Sequence, residues 1–393
     1  ESDHAEFAIV YGRRRVGKTF LIREFFKDQF AFYHTGLNPD ELPEEKRMLA
    51  QLENFASSLS RYGAAARSVP KSWKEAFGML IDFLSEKPKD RRMIVFIDEM
   101  PWLDTRRSMF LSAFENFWNG WAAGQDHLIL IACGSATSWM CDELKDNTKG
   151  LYDRITKDIP LSPFSLYECR KYFDYRGIVM DDYDLLQTYM ATGGVPYYLS
   201  CFEKGYTVAR NIDRAFFAKN APLKNEFSRL FSSIFINKEN YEKVVRHLAG
   251  RRYGYTREEV SAGTGISSGS GLTRTLKGLS DSNLITVYKD ILGGKTYYKL
   301  TDAFCLFYLH FVDGGKTNNH TFWQNNQFSP AVNAWRGLAF EDLCFNHIRQ
   351  IRRALGISGV NTEISTILWR TSSEGPGSQI DMVITRADRR VHL

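Results

Sequence analysis

Phe7 to Phe26 reads FAIVYGRRRVGKTFLIREFF, and this stretch decides the fold. The apolar run Phe7-Ala8-Ile9-Val10-Tyr11 has the character of a buried strand. It breaks at Gly12, and a helical pattern begins at Lys18. Gly12, Gly17, Lys18 and Thr19 satisfy G-x-x-x-x-G-K-[ST], a phosphate-binding loop flanked as it should be by a strand before and a helix after. Glycines let a backbone wrap a phosphate chain with its N–H groups turned inward. The helix opening at Lys18 points its positive dipole end at the same anion. Lys18 is expected to reach the β- and γ-phosphates, and the Thr19 hydroxyl to hold Mg²⁺. The expected nucleotide-binding segment is therefore Gly12, Arg13, Arg14, Arg15, Val16, Gly17, Lys18, Thr19 and Phe20. The three arginines add positive potential, although most of them read as solvated loop surface.

The chain has 393 residues, enough for two or three cores. Its net charge of +5 permits nucleic-acid contact without demanding it. No apolar run approaches the roughly 18 residues of a membrane span. The six cysteines are scattered with no C-x-x-C pair, and the histidines form no H-x-x-x-H pair. That argues against a zinc site or a disulfide framework and fits a reducing cytoplasm. The start at Glu1, six residues ahead of the first strand, reads as trimmed, and Leu393 falls inside a strand pattern.

After the loop helix, Ala31 to Thr35 reads as a strand, Glu41 to Leu59 and Trp73 to Leu84 as helices, and Ser60 to Lys71 as a loop. Met93-Ile94-Val95-Phe96-Ile97-Asp98-Glu99 is an apolar strand ending in an acidic pair, the Walker B pattern. Its end emerges at the carboxyl edge of a parallel sheet, where ligands bind. Asp98 is expected to hold Mg²⁺ and Glu99 to polarise the attacking water as general base. Ser108 to Trp121 reads as a core helix and Leu128 to Cys133 as a further buried strand. Ser135, just past it, suits a contact to the γ-phosphate or the water, and equally an N-cap for a helix from Ala136 to Leu144. Arg154, ahead of a strand from Ile155 to Leu161, is a candidate arginine finger or an ordinary surface arginine.

Taken together, the Gly12–Thr19 loop, Ile97-Asp98-Glu99, Cys133-Gly134-Ser135, Arg154 with Pro160-Leu161-Ser162-Pro163-Phe164, and Gly193-Gly194-Val195-Pro196-Tyr197 resemble the archaeal-type ATPases. These belong to the AAA+/STAND branch of P-loop NTPases. The resemblance covers most of the chain and implies an α/β AAA+-like parallel-sheet core (1–163) that binds ATP with Mg²⁺. It implies a helical lid (164–236) whose G-x-P element, matched by Gly194 and Pro196, lies against the nucleotide base. The family often has Gly where Asp153 stands here, before Arg154.

Residues 237–313 read as a winged helix-turn-helix. Tyr241 to Ala249 is its first helix, the capping box Thr256/Glu259 opens the second, and Gly271 to Leu279 forms the third. A hairpin of Ile285–Tyr288 and Thr296–Leu300 turns at Gly293-Gly294. Arg274 and Lys277 are placed to touch a double-stranded DNA backbone; the alternative is an intramolecular packing module. Asp302 to Val312 is an aromatic helix and 314–329 a linker. The tail (330–393) reads as a helix from Trp335 to Arg353 carrying Glu341, then strands Ile364–Arg370 and Gln379–Ile384 carrying Asp381. Glu341 and Asp381 resemble the opening of a partial restriction-nuclease-like site, whose E-x-K would fall on a strand starting at Val391. Two functions are thus expected: ATP turnover driving work on DNA, or a nucleotide-controlled switch acting on a protein partner. No membrane partner is expected, and neither oligomeric state nor whether Arg154 acts in its own subunit is legible.

Overall fold

The computed structural model describes residues 3–65, 68–146, 150–151, 153–235, 238–290, 294–315, 319–369 and 378–387. The chain divides into two compact units. One comprises Glu1–Ser162 with Ser232–Ile234, the other Pro163–Phe231 with Phe235–Leu393.

The first unit is built on β1 (Glu6–Tyr11), α1 (Lys18–Phe26), β2 (Phe32–Thr35), α2 (Glu44–Arg61), α3 (Trp73–Ser85), β3 (Met93–Asp98), α4 (Phe110–Gly120), β4 (Leu128–Gly134), α5 (Thr137–Trp139, continued by a π-helical turn to Lys145) and β5 (Lys157–Pro160). The strands form one sheet in the order β2-β3-β4-β1-β5. All its pairings are parallel. The continuous apolar runs of β1, β3 and β4 are explained by this arrangement, since helices cover both faces. One face carries the larger core, where α2, α3 and α4 bring Phe55, Trp73, Phe77, Phe114 and Phe117 onto the sheet. The opposite face is thinner, with Ile22 of α1 packed over Val10, Phe96 and Cys133. Ser72 caps α3 by accepting the Glu75 N–H. β5 is shorter than the pattern suggested and lies on the sheet edge, exposed throughout.

The second unit holds α6 (Leu166–Tyr175), α7 (Asp182–Thr192), α8 (Pro196–Ser200), α9 (Val208–Ile212), α10 (Glu226–Ile234, whose last three residues fall in the first unit), α11 (Lys238–Leu248), β6 (Tyr255–Thr256), α12 (Arg257–Thr264), α13 (Ser270–Asp281), β7 (Ile285–Asp290), β8 (Thr296–Leu300), α14 (Ala303–Phe307), α15 (Phe322–Asn326), α16 (Pro330–Asn346), α17 (Ile348–Ala354), β9 (Thr362–Trp369) and β10 (Ser378–Arg386). The expected capping box forms at Thr256/Glu259 on α12, and another at Ser165/Glu168 on α6. Its sheet runs β10-β9-β7-β8-β6. The β7–β8 hairpin is antiparallel, and β9 joins β7 in parallel through Lys289–Ser365 and Asp290–Thr366.

Two expectations are corrected here. The helix read from Trp335 to Arg353 is broken at His347, whose backbone leaves helical geometry at φ −110°, ψ 21°. Its ring is engaged on both sides: Nδ1 meets the Leu343 carbonyl at 2.9 Å, and Nε2 accepts the Leu166 N–H at 3.0 Å. The linker read at 314–329 contains the docked helix α15. The buried Asp213 carboxylate accepts the N–H groups of Trp323 (2.7 Å) and Gln324 (3.0 Å). It thereby satisfies the first turn of α15 as an N-cap would, while Trp323 is buried.

Candidate nucleotide site

β4 lies between β1 and β3 in the sheet, so three carboxyl ends converge. From β1 comes the Gly12–Lys18 loop, from β3 the Asp98-Glu99 pair, and from β4 Ser135. The two glycines of the motif have different reasons. A Cβ on Gly12 would lie 2.0 Å from the Leu161 carbonyl oxygen, so Gly12 is demanded by the close approach of the chain leaving β5. Gly17 has φ +92°, and a Cβ there would meet no heavy atom within 4 Å. It therefore borders open space at the start of α1, where no side chain caps the helix. The first-turn N–H groups are left for an anion.

Lys18 is 5% exposed. Its ammonium donates to the carbonyls of Gly12 (2.8 Å) and Arg13 (3.0 Å) and to Ser135 Oγ (3.0 Å). Ser135 in turn donates its hydroxyl to Glu99 Oε1 (2.8 Å) and its backbone N–H to Oε2 (3.1 Å). Both oxygens of Glu99 are thus held by one residue. Beside this chain, Thr19 Oγ1 donates to Asp98 Oδ2 at 2.7 Å, while Asp98 Oδ1 accepts the Glu99 N–H at 2.9 Å. Glu99 itself sits in the left-handed region at φ 47°, a conformation that turns its side chain from the strand toward Ser135. Burial pushes the Glu99 carboxyl above its ordinary range and the Asp98 charge adds to this; Lys18 and the Ser135 hydrogen bonds oppose it.

Of the two readings of Ser135, the N-cap is not formed: the residue preceding α5 is Ala136, with no side-chain cap. Arg13 corrects the solvated reading of the loop arginines, because it is 3% exposed. Arg14 and Arg15 are half-buried, with Arg15 at φ 73°. Val16 is buried, and Phe20 is exposed on α1. Arg154 is exposed, and among the described residues its guanidinium makes no hydrogen bond or ion pair. Pro196 opens α8 in the second unit.

Sequence reasoning missed Gln51. Fully buried on α2, it accepts the Leu37 N–H and donates to the carbonyls of Leu37 and Trp102. It ties the segment after β2 to the turn that follows Glu99. Its signal was a polar residue on the apolar stripe of α2 with Leu52, Phe55 and Leu59.

Glu341 is half-buried on α16, and its carboxyl is pushed up by burial and then by the Asp381 charge. Asp381 lies where the β9–β10 register shifts between Ile380 and Val383. The strand read from Val391 lies outside the described residues. Among the described residues no group of three or more His, Cys, Asp or Glu is arranged to hold a metal ion. No described helix is long and apolar enough to cross a membrane, and all six cysteines are free thiols.

The fold is similar to that of a Walker-type ATPase of Pyrococcus abyssi, with TM-score 0.52 and 17% identity over 77% of this chain and 91% of that one. An uncharacterized protein of Methanocaldococcus jannaschii is 24% identical over 316 residues, 79% of this chain and 65% of its own length. The chain thus spans just under two thirds of that relative. Residues 1–202 match the model of an ATPase domain described as predominantly from Archaea. With half of its length matched and the P-loop geometry in place, the chain belongs to this archaeal-type family of P-loop ATPases.

Proposed function

We propose that the chain binds ATP with Mg²⁺, hydrolyses it, and passes its nucleotide state to a DNA-related activity of the second unit. The observation that carries this is the continuous chain Lys18–Ser135–Glu99 lying beside the Thr19–Asp98 pair. The open backbone at Gly17 and the first turn of α1 receive phosphate oxygens, and Lys18 turns from its own loop carbonyls to the same anion. Thr19 and Asp98 supply a hydroxyl and a carboxylate 2.7 Å apart. These are hard oxygen donors suited to Mg²⁺, which would neutralise developing phosphate charge when bound. Glu99, half-buried and raised in pKa, is poised to take the proton of the attacking water. Ser135 positions Glu99, and Gln51 fixes the turn that follows it.

The DNA-related part rests on α11, α12, α13 and the β7–β8 hairpin, which we read as a winged helix. Arg274 and Lys277 are exposed on α13, Lys277 pairing with Asp281 at 2.8 Å. We read Glu341 and Asp381 as a nuclease-like remnant and place the protein in the cytoplasm.

A second reading is favoured by the Ser135 clasp itself. It holds both Glu99 oxygens and engages Lys18, which is satisfied by three acceptors. A general base held this firmly suits a switch with slow turnover that controls a protein partner. The test is ATP hydrolysis with and without double-stranded DNA, alongside Glu99→Gln. Turnover raised by DNA and lost in the variant supports the DNA reading. Slow turnover indifferent to DNA, with nucleotide retained, supports the switch. No nucleotide binding at all would sink both.

A further inference from the structure

Ser135 and Glu99 sit on two chain segments just as these leave the sheet, and neither segment is fixed by a side-chain cap. Glu99, at φ 47°, opens the short helical turn Met100–Trp102 with no capping hydrogen bond. Ala136, which opens α5, has none either. The geometry of the Ser135–Glu99 joint therefore depends on what holds the two exits to each other.

They meet twice. Close to the sheet, Gly134 passes over Pro101: a Cβ on Gly134 would lie 2.6 Å from Pro101 Cδ and 2.8 Å from Met140 Sδ. Farther out, the Trp139 indole Nε1–H donates to Asp104 Oδ2 at 3.1 Å. The first contact is packing, which resists approach; the second is directional and resists separation. Each end of the hydrogen bond is tied back to the site by short backbone links. The Thr137 N–H donates to the Ser135 carbonyl and the Met140 N–H to the Ala136 carbonyl, both at 3.1 Å. On the other side, the Trp102 N–H donates to the Glu99 carbonyl and the Leu103 N–H to the Met100 carbonyl, both at 3.0 Å. Met140 and Leu103 are fully buried, so these links are anchored. Trp139 and Asp104 are half-buried. Burial raises the Asp104 carboxyl, and the indole N–H draws it back down.

We propose that Trp139 is a positioning residue for ATP hydrolysis: by holding Asp104 it latches the two exits together and keeps Ser135 in register with both oxygens of Glu99. The latch touches neither nucleotide nor water. It acts through the joint, as outlying hydrogen bonds orient the groups that do the chemistry. This rests on the reading of Glu99 as the general base.

The test is steady-state ATP hydrolysis across pH by the whole chain, wild type beside Trp139→Phe, Asp104→Ala and Asp104→Asn, with thermal melts alongside. Trp139→Phe keeps an aromatic ring without the N–H, and Asp104→Ala removes the acceptor. Each should lower kcat about tenfold, the worth of one hydrogen bond, with KM nearly unchanged. Asp104→Asn still offers an oxygen and should restore most of the rate. In Trp139→Phe and Asp104→Ala the acid limb should move to higher pH, because Ser135 holds the charged form of Glu99 less firmly. The charged and titratable groups facing Glu99 are Lys18, Asp98 and the Cys133 thiol, and all three stay in place in these variants. In a Ser135→Ala background, Trp139→Phe should cost clearly less than it does alone, since the joint it serves is already weakened. Full additivity there, an unmoved acid limb, or Asp104→Asn no better than Asp104→Ala overturns the proposal. If Trp139→Phe does not fold by circular dichroism, the two Asp104 variants decide. Glu99→Gln separates the latch from the reading beneath it. Hydrolysis by Glu99→Gln at the wild-type rate overturns both, whereas an inactive Glu99→Gln beside a Trp139→Phe that behaves as wild type sinks the latch alone.

Discussion

Lys18 and Arg336 are both buried cations, one in each unit, and their surroundings differ. Lys18 donates to three oxygens and lies close enough to Glu99 to hold down the pKa of that carboxyl. Arg336, buried on α16, donates to the amides of Asn333 and Gln187, lies near the rings of Trp323 and Tyr183, and leaves Nε without a partner. Lys18 belongs to a closed circuit whose members all come from carboxyl ends of one parallel sheet. Arg336 lies where two helices far apart in sequence pack side by side. A cation in a circuit can be redirected to a ligand, because each bond it gives up has a substitute.

Removing Lys18 or Glu99 should produce the largest effects. Lys18→Ala is expected to lower kcat by at least about 100-fold with little loss of stability, by analogy with deleting a preorganised cationic donor. Steady-state hydrolysis beside a thermal melt checks both halves, and a variant that melts far below wild type would make Lys18 as structural as it is catalytic. Glu99→Gln should cost roughly 10²–10⁴-fold while leaving nucleotide binding in place, as expected for loss of a general base. Asp342→Asn would leave the buried Lys299, and the partly exposed Arg252, without their carboxylate. The expected cost is about 3–5 kcal/mol in denaturant unfolding. A near-neutral outcome would mean that the second unit tolerates buried cations without a carboxylate generally, as it does Arg336.

Ser135→Ala should have the smallest effect, on the order of tenfold in rate, with a distinctive pH signature. Glu99 must be ionised to act as base, so activity falls as pH drops through its pKa. Burial places that acid limb above the range of an ordinary glutamate. The Ser135 hydroxyl favours the charged form, so its loss should move the limb to still higher pH. A limb that stays put or moves down would show that the hydroxyl acts on something other than Glu99.

The first unit was legible because its determinants are local. Phe7–Tyr11 and Met93–Ile97 are apolar without interruption, as strands covered on both faces must be, and the glycines fall at fixed offsets. The sequence could not show that Gly12 yields to the Leu161 carbonyl, or that Ser135 joins Lys18 to Glu99. Those facts depend on strand order, which puts β4 between β1 and β3. Arg13 was misread because an arginine in a loop is usually solvated. In the second unit the Thr256/Glu259 capping box was readable and the long-range joints were not. Asp213 capping α15, His347 interrupting α16, and Arg336 against Gln187 each link positions 110 to 181 residues apart. No periodicity reports such pairs.

The edge strand β5 carries one more consequence. Among the described residues only β1 pairs with it, leaving its other rim as a sheet edge. A bare rim of that kind is a template for another chain and a start for fibrils. Here Lys157 and Asp158 put charge on it, with Asp158 held by Lys145 at 2.6 Å. Pro160 offers no N–H at its end. The strand that forces a glycine into the nucleotide loop is also the one that stops the sheet from growing.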